Sequence, residues 1–293
     1  MSGLTRPSRL STAVLLGPPL VVYFVFGILP LLVAAWFSLT DWNGISRDIN
    51  VVGLDNYARL FGDSEVHRSF IVTGVVAVGA TIILNCIAIP LAVLLSSNDL
   101  ITRFYRSAVF FPLVLSPIVV GFLWQSVLST TGLLNSLLSG MGMKRVIFLG
   151  EPTLAVLSVA FVTIWQTLGF TTILYLAALR TIPEELYEAA TIDGAGPAAR
   201  FRRITVPLLA PAITVNVVLL VIFFLRLYEY PLVMTQGGPV GSTQTVAYLL
   251  VLDAFERSRY GYGSAIAIVM LLFVIAVAVG LVAILRRRET AVA

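Results

Sequence analysis

The sequence predicts an all-α, polytopic membrane protein with six transmembrane helices. The chain has 293 residues, of which 58% are hydrophobic and only 12% are charged, and its mean hydropathy is +0.97. Soluble domains carry about 25% charged residues. A chain this apolar cannot bury its hydrophobic surface in one soluble core, so lipid is the expected solvent. Basic cytoplasmic loops explain the net charge of +4 more simply than nucleic acid binding does.

Six uncharged stretches are each long enough to cross the hydrocarbon core as a helix, which takes about 20 residues. Lipid offers no partner to free backbone groups, and the apolar runs do not alternate, so helices are expected rather than the strands of a barrel. The third stretch, 107–143, exceeds one span and predicts an interfacial segment from Gly132 to Gly142. The chain is expected to form one transmembrane domain over residues 1–293, with spans at 13–38, 72–96, 108–130, 154–178, 204–226 and 262–285.

Basic residues set the expected orientation, because Lys and Arg collect in cytoplasmic loops. The predicted inner segments hold 11 of the 19 basic residues and are 1–12, 99–106, 180–203 and 286–293. The outer segments hold 8 in a greater total length, and they are 39–68, 131–151 and 226–259. Both termini are therefore expected in the cytoplasm, in a multi-pass protein of the plasma membrane.

The residues that usually carry catalysis are scarce. The chain has one cysteine, Cys86, and one histidine, His67, so neither a disulfide nor a Cys/His metal site is indicated. No nucleophile–base pair is visible, and the sequence lacks the G-x-x-x-x-G-K-[ST] loop that binds ATP phosphates. The chain is therefore predicted not to be an enzyme and to bind no cofactor or metal of its own.

The inner loop 181–207 is too polar for lipid, yet it carries strong helix signals. Thr181 and Glu184 fit a capping box at a helix start. Gly194 provides a stop, since glycine adopts the left-handed conformation cheaply, and Pro197 permits a second start. These signals predict a stiff hairpin of two short helices. Physical reasoning alone leaves two roles open, docking on another protein or resting on anionic lipid headgroups.

Residues 188–207 read E-A-A-x3-G-x9-I-x-V-P. This pattern resembles the signature of binding-protein-dependent ABC importer permeases, E-A-A-x3-G-x9-I-x-L-P, with Val206 as the one departure. In that family the loop forms a coupling helix that docks in a cleft of the ATPase subunit. The resemblance implies that Glu188 meets a basic residue of the ATPase and that Gly194 supplies the turn. The residues expected to couple the chain to the ATPase are Glu188, Ala189, Ala190, Gly194, Arg200 and Pro207.

Other segments resemble the carbohydrate branch of this family, the maltose and glycerol-3-phosphate type. They lie after the first span, in the third span, after the fifth span and at the start of the last span. The segments are Gly53-Leu54-Asp55-Asn56-Tyr57, Phe111-Pro112 to Trp124, Thr235-Gln236-Gly237-Gly238-Pro239 with Ser242-Thr243, and Tyr262-Gly263-Ser264-Ala265.

The resemblance implies a permease subunit of an ATP-driven importer for a sugar or sugar-like solute. The implied partners are a second homologous permease, a dimer of ATPase subunits that hold ATP and Mg²⁺, an extracytoplasmic solute-binding protein and membrane lipid. No nucleic acid is among them. Closure of the ATPase dimer would move the hairpin as a rigid body and switch the path between inward-facing and outward-facing states.

Polar and aromatic side chains within spans are the candidates for the substrate path, since neutral sugars are held by hydrogen bonds and ring faces. Each also fits packing, because buried amides join helices and tryptophans anchor span ends. Arg226 and Glu229, three residues apart at the outer end of the fifth span, fit a pair on one helix face; the alternatives are an outer gate or a simple cap. The substrate-path candidates are Trp124, Gln125, Trp165, Gln166 and Asn216.

Three other classes of membrane protein fit the sequence less well than the importer permease. A secondary transporter usually carries ionisable groups near the midplane, and the six spans have no charged residue there, although a sodium site built from carbonyls needs none. A membrane-embedded enzyme would need a cluster of catalytic groups, and a channel would not need a docking hairpin. The sequence does not fix the solute, which can be a disaccharide, an oligosaccharide, an amino sugar or glycerol-3-phosphate.

Overall fold

The computed structural model describes residues 9–292, with side chains described from residue 15 to residue 286. Within this range it is all-α, since no strand is present beyond one isolated bridge between Thr40 and Val51. The all-α, polytopic prediction is therefore confirmed. The helices are α1 (Arg9–Tyr23), α2 (Leu29–Phe37), α3 (Asp55–Gly62), α4 (Ser64–Leu94), α5 (Leu100–Val114), α6 (Pro117–Leu128), α7 (Leu133–Gly140), α8 (Pro152–Leu179), α9 (Glu184–Ile192), α10 (Pro197–Arg200), α11 (Val206–Leu208), α12 (Ala210–Leu225), α13 (Val246–Val251) and α14 (Tyr260–Val292).

Five helical segments are long and apolar enough to cross a membrane, and a bent pair makes a sixth. Of the predicted inner segments 1–12 and 286–293, residues 1–8 and 293 lie outside the described residues, and Arg286 is the one residue whose side chain is described. The bent pair joins Pro197–Leu208 to Ala210–Leu225. The five segments are Leu15–Phe37, Ser64–Leu94, Pro117–Gly140, Pro152–Leu179 and Tyr260–Arg286.

The third span is not the continuous helix predicted over 108–130. Helix α5 ends at Val114, and α6 begins at Pro117. Between them, Leu115 and Ser116 are extended, with ψ of 144° and 133°. Pro117 causes this break, because proline has no backbone N–H and disfavours the helical conformation in the residue before it. Helix α7 occupies the segment predicted to be interfacial.

The fifth span, predicted as one helix over 204–226, is bent by 66° at Leu209. Pro207 and Pro211 lie in the first turns of the two helices that meet there, and neither can donate the hydrogen bond that would continue a straight helix. Helix α12 has 16 residues, so it rises only about 24 Å. This length is less than the usual hydrocarbon thickness of about 30 Å.

The chain divides into two compact units. One runs to Asp63 and includes Leu250–Met270, and the other comprises Ser64–Leu249 and the chain from Leu271 onward. In the first unit, the Asn56 side-chain amide donates to the carbonyls of Ser38 at 2.9 Å and Thr40 at 2.8 Å. The Gly53–Tyr57 segment therefore fastens the chain that leaves α2.

Replacing Asn56 by alanine is expected to lower the melting temperature by about 2–4 °C. The carbonyls of Ser38 and Thr40 would lose their side-chain donor, at a cost of about 1 kcal/mol. Thermal denaturation in detergent measures the effect. The control is Asn98→Ala, because Asn98 is exposed and has no described side-chain hydrogen bond. Equal melting temperatures for the two variants would contradict the assignment.

In the second unit, helices α4, α8 and α12 pack on one another, and α5 packs on α8. Small and β-branched residues contribute to these contacts, including Ala77, Ala80 and Val162, which are at most 3% exposed. Small side chains let membrane helices approach closely. This packing brings polar side chains of α4, α8 and α12 within hydrogen-bonding distance of one another, as described below.

The segment that follows α12 was predicted as an outer connection, but much of it is buried. Leu227, Tyr230 and Met234 are each 2% exposed. A π-helical turn, Pro231–Thr235, packs against α6. Residues 243–249 are also buried, and the Thr245 hydroxyl donates to the Leu227 carbonyl at 2.6 Å. The segment is therefore part of the packed unit rather than a solvated loop.

Within that segment, glycine at position 237 is required by two local constraints. Gly237 has a φ of +76°, and an added Cβ would lie 2.6 Å from the Tyr248 ring. Beside it, the hydroxyls of Thr235 and Thr243 are 2.6 Å apart, and Thr243 donates to the Gly238 carbonyl at 2.9 Å. The Thr-Gln-Gly-Gly-Pro pattern is thus explained by a compact, internally bonded turn.

Candidate functional site

The inner loop folds into two short helices, as the sequence predicts. Helix α9 begins after Pro183, which is its N-cap and contributes no side-chain cap. The predicted capping box of Thr181 and Glu184 is wrong. The Thr181 hydroxyl lies at the end of α8, where it donates to the Ala178 carbonyl at 2.8 Å, and Thr181 is not the N-cap of α9.

The turn between the two helices is a Schellman motif centred on Gly194, whose φ is +79°. The Ala195 N–H donates to the Ala190 carbonyl at 2.8 Å, and the Gly194 N–H donates to the Thr191 carbonyl at 3.0 Å. An L-residue with a side chain is disfavoured in this left-handed conformation. The sharp reversal therefore depends on glycine at position 194.

Two side-chain hydrogen bonds hold the hairpin together. The Tyr187 and Thr205 hydroxyls are 3.0 Å apart, and Arg200 donates to the Thr191 hydroxyl at 2.9 Å. Both bonds join α9 to the segment that begins with α10. That segment continues to Pro207 and the bend before α12. A displacement of α9 would therefore be passed directly to the bent span.

Much of the surface of the hairpin is exposed and can contact another molecule. Glu188, Ala189 and Gly194 are exposed, and Ala190 is half-buried. Ile192, next to the turn, is 87% exposed. Among the described residues, the Glu188 carboxylate has no hydrogen bond or ion pair. A carboxylate without an internal partner, small residues and an apolar tip are together typical of a docking surface.

A second feature is a layer of buried polar side chains between α4, α8 and α12. The Asn216 amide donates to the Asn85 side-chain carbonyl and to the Tyr175 hydroxyl, both at 3.1 Å. Tyr175 also donates to Asn85, whose own amide donates to the Thr81 carbonyl at 2.7 Å. Asn216 and Tyr175 are fully buried. Asn216, a predicted substrate contact, thus joins three helices in this structure.

Trp124 and Trp165 are half-buried and pack on each other. Their ring centroids are 5.6 Å apart in an edge-on arrangement, and Phe161 packs on Trp124 at 5.3 Å. Gln125 is also half-buried, and no side-chain hydrogen bond is described for it. Gln125 adjoins Trp124 in sequence, and Trp165 packs on Trp124. These three candidates do not line the cavity described next.

Gln166, another predicted substrate contact, lines a sizeable cavity. The cavity has a volume of about 360 Å³, within the range of small-molecule sites. The Gln166 amide donates to the Leu115 carbonyl at 2.7 Å and the Pro112 carbonyl at 3.1 Å, so it anchors the break between α5 and α6. Its side-chain oxygen is buried and has no hydrogen-bond partner among the described residues. The lining consists of Leu113, Leu115, Pro117, Gln166, Thr167, Phe170, Leu219, Leu220, Phe223 and Tyr230.

The predicted pairing of Arg226 with Glu229 on one helix face is wrong. Helix α12 ends at Leu225, and Arg226 is its C-cap with a φ of −100°. The Glu229 carboxylate instead accepts from the Tyr228 N–H at 3.3 Å. With the helix ended, the three-residue spacing no longer brings the two side chains together.

Sequence reasoning missed several residues of these sites. Asn85 and Tyr175 complete the polar layer, and their polarity inside apolar spans was the available signal. Thr167 adjoins Gln166 and could have been found in the same way. Tyr230 lines the cavity although it follows the span, and no sequence pattern marks it.

Comparison with known proteins identifies the chain's relatives. The family model described as binding-protein-dependent transport system inner membrane component matches residues 85–290. The diacetylchitobiose uptake system permease protein NgcF of Streptomyces coelicolor is 34% identical over 84% of this chain and 74% of its own length. The trehalose/maltose transport system permease protein MalF of Thermococcus litoralis is 33% identical over 87% of this chain and 86% of its own.

The fold also matches a solved structure. A chain of the bacterial alginate ABC transporter, crystallised in complex with an alginate pentasaccharide-bound periplasmic protein, superposes with a TM-score of 0.83. The match covers 95% of this chain and 94% of that one, at 23% identity. The two chains therefore share one fold from end to end.

Proposed function

Because this chain belongs to the family of binding-protein-dependent transport system inner membrane components, whose members are non-catalytic permease subunits, we propose that it forms part of the membrane path of an ATP-driven importer for a sugar or sugar-like solute. The family match over residues 85–290 carries this proposal. The named relatives support the solute class, since they import diacetylchitobiose and trehalose or maltose. A periplasmic binding protein in the alginate complex supports delivery of the solute by such a partner.

In this proposal the hairpin couples the path to a separate ATPase dimer. Glu188 meets a basic side chain of the ATPase, and Ala189, Ala190 and Gly194 allow close contact. Arg200 braces the hairpin through Thr191. Pro207 lies next to the 66° bend, where movement of the hairpin would tilt α12. The free Glu188 carboxylate and the rigid Schellman turn support this role.

The solute would pass the cavity at Gln166. The Gln166 oxygen, buried in this structure, would accept a hydrogen bond from a sugar hydroxyl once the path opens, and Phe170 and Phe223 offer ring faces. Trp124, Gln125, Trp165 and Asn216 would then support the path through packing and hydrogen bonding. Arg226 and Glu229 lie at the opposite end of α12 from the hairpin and stay candidates for an outer gate without direct pairing.

The orientation of the chain follows from the same proposal. The hairpin end faces the cytoplasm, where ATP is available, and both termini lie on that side. A second permease chain would complete the path. ATP and Mg²⁺ would be held by the ATPase subunits, since this sequence has no phosphate-binding loop.

Reconstitution tests the proposal. The purified full chain alone is expected to hydrolyse no ATP. Assembled in lipid vesicles with a second permease and the ATPase subunits, it is expected to support ATP-dependent accumulation of a labelled sugar only when a sugar-loaded binding protein is present. The assays use diacetylchitobiose, maltose and trehalose, with vesicles lacking this chain as the control.

Accumulation that follows an ion gradient without ATP would contradict the proposal and favour a secondary transporter. ATP hydrolysis by the chain alone would contradict its assignment as a non-catalytic subunit.

A further inference from the structure

A groove of about 200 Å³ lies between α5 and α8, apart from the cavity at Gln166. The two helices run in opposite directions, so the start of α5 lies beside the end of α8. Arg106 is in the second turn of α5, and Arg180 is the C-cap of α8. The groove is lined by Arg106, Phe110, Ile173, Leu176, Ala177 and Arg180.

The polar and apolar residues of this groove are separated along its length. The two arginines lie at the end nearest the hairpin. Phe110 is one helical turn further into the membrane than Arg106, and Ile173 is about 10 Å along α8 from Arg180. Ile173 is 42% exposed, and Ala177 is also exposed. The groove therefore has a cationic mouth and an apolar body.

Among the residues whose side chains are described, no acidic group pairs with the charge at the mouth of the groove. Arg106 donates through its side chain to the Leu95 carbonyl at 2.7 Å and to the Ser97 carbonyl, which orients its guanidinium without pairing its charge. Arg180 has no side-chain hydrogen bond or ion pair among the described residues. The two guanidinium groups together offer ten N–H donors, of which two are used in the described bonds. An anion of matching shape would complete the site.

We propose that this groove binds an anionic phospholipid. Its headgroup phosphate lies between Arg106 and Arg180, and its acyl chain lies against Phe110, Ile173 and Ala177. Basic pockets between transmembrane helices at a membrane surface are suited to anionic headgroups. The apolar body distinguishes the occupant from free phosphate, which would leave that part unfilled. The inference is independent of the transported solute.

The bound lipid would lie close to the hairpin and restrain its connection to α8. Arg180 stands four residues before Glu184, the first residue of α9. A headgroup held by Arg180 would therefore restrain the link between α8 and the hairpin. The bound lipid is thus expected to stabilise the chain against heat as well as to remain with it after extraction.

Native mass spectrometry of the full chain tests the proposal. The chain is extracted in mild detergent and mixed with equal amounts of phosphatidylglycerol and phosphatidylcholine that carry the same acyl chains. Phosphatidylglycerol is expected to be retained in preference. Arg180→Gln should reduce its retention about fivefold without changing that of phosphatidylcholine. Ala177→Trp should reduce the retention of both lipids, because it fills the apolar body.

Two matched variants control for general effects of charge and bulk. Arg203→Gln removes an exposed arginine outside the groove, and Leu157→Trp places the same bulky ring on an exposed position of α8 far from Arg180. Both should retain phosphatidylglycerol as the native chain does. Inorganic phosphate should not displace the lipid.

Three results would overturn the proposal. The first is equal retention of the two lipids by the native chain, or equal losses for Arg180→Gln and Arg203→Gln. The second is displacement of phosphatidylglycerol by inorganic phosphate, which would indicate a simple anion site. The third is a change in protein association but not in lipid retention for Ala177→Trp, which would identify the groove as a subunit interface.

Discussion

Replacing Glu188 by alanine together with Gly194 by valine is expected to abolish solute uptake while leaving membrane insertion intact. Glu188 is exposed and has no described internal partner, so its removal costs the folded chain little. Valine at position 194 would have to adopt a φ of +79°, which is strained by about 1–2 kcal/mol for a residue with a side chain. The turn would open, and the docking surface would lose both its charge and its shape.

Uptake of labelled sugar and the amount of chain in the membrane fraction measure these effects together. The matched control is Glu185→Ala with Gly196→Ala. Glu185 is an exposed carboxylate on the same helix, and Gly196 has a φ of −68° with open space around it. This control should transport normally. Normal uptake by the Glu188 and Gly194 variant at normal expression would rule out the docking role.

The sequence predicts the number of helical spans well because a membrane span depends on a simple quantity, the length of an uncharged run. The breaks within spans are harder to predict. Pro117 ends a helix, whereas Pro90 lies inside α4 without ending it. At the break before Pro117, the Gln166 amide of a neighbouring helix donates to the Leu115 carbonyl. Whether a neighbouring helix supplies such a donor depends on the tertiary structure, so no local sequence pattern contains it.

In the candidate sites, too, features encoded locally can be predicted from the sequence, and features that depend on tertiary structure cannot. The hairpin is encoded locally, and Gly194 marks its turn in the sequence. The roles of the span residues depend on three-dimensional context. Gln166 and Asn216 are both amides in apolar spans, yet one lines a cavity and the other joins three helices. Tyr230 reaches the cavity only because the segment after α12 folds back into the packed unit.

Replacing Gln166 by leucine is the second change expected to have a large effect. The Leu115 carbonyl would lose its described donor in a partly buried setting, at a cost of about 2 kcal/mol, or about 4–8 °C in melting temperature. The Pro112 carbonyl keeps its bond from the Leu115 N–H at 3.2 Å, so it contributes less. If the Gln166 oxygen also receives a sugar hydroxyl, the KM for uptake should rise up to about tenfold.

Gln125→Leu is the matched control, since Gln125 is an amide in the same unit with no described side-chain hydrogen bond. It should change the melting temperature by no more than about 1–2 °C. Gln166→Leu with a lowered melting temperature but an unchanged KM would assign Gln166 to structure alone, because the anchor at the α5–α6 break would account for the whole loss. Identical melting curves for the two variants would contradict the anchor itself. The melting temperature reports on the amide nitrogen, which donates to the carbonyls at the α5–α6 break. The KM reports on the amide oxygen, which is the atom left for the solute.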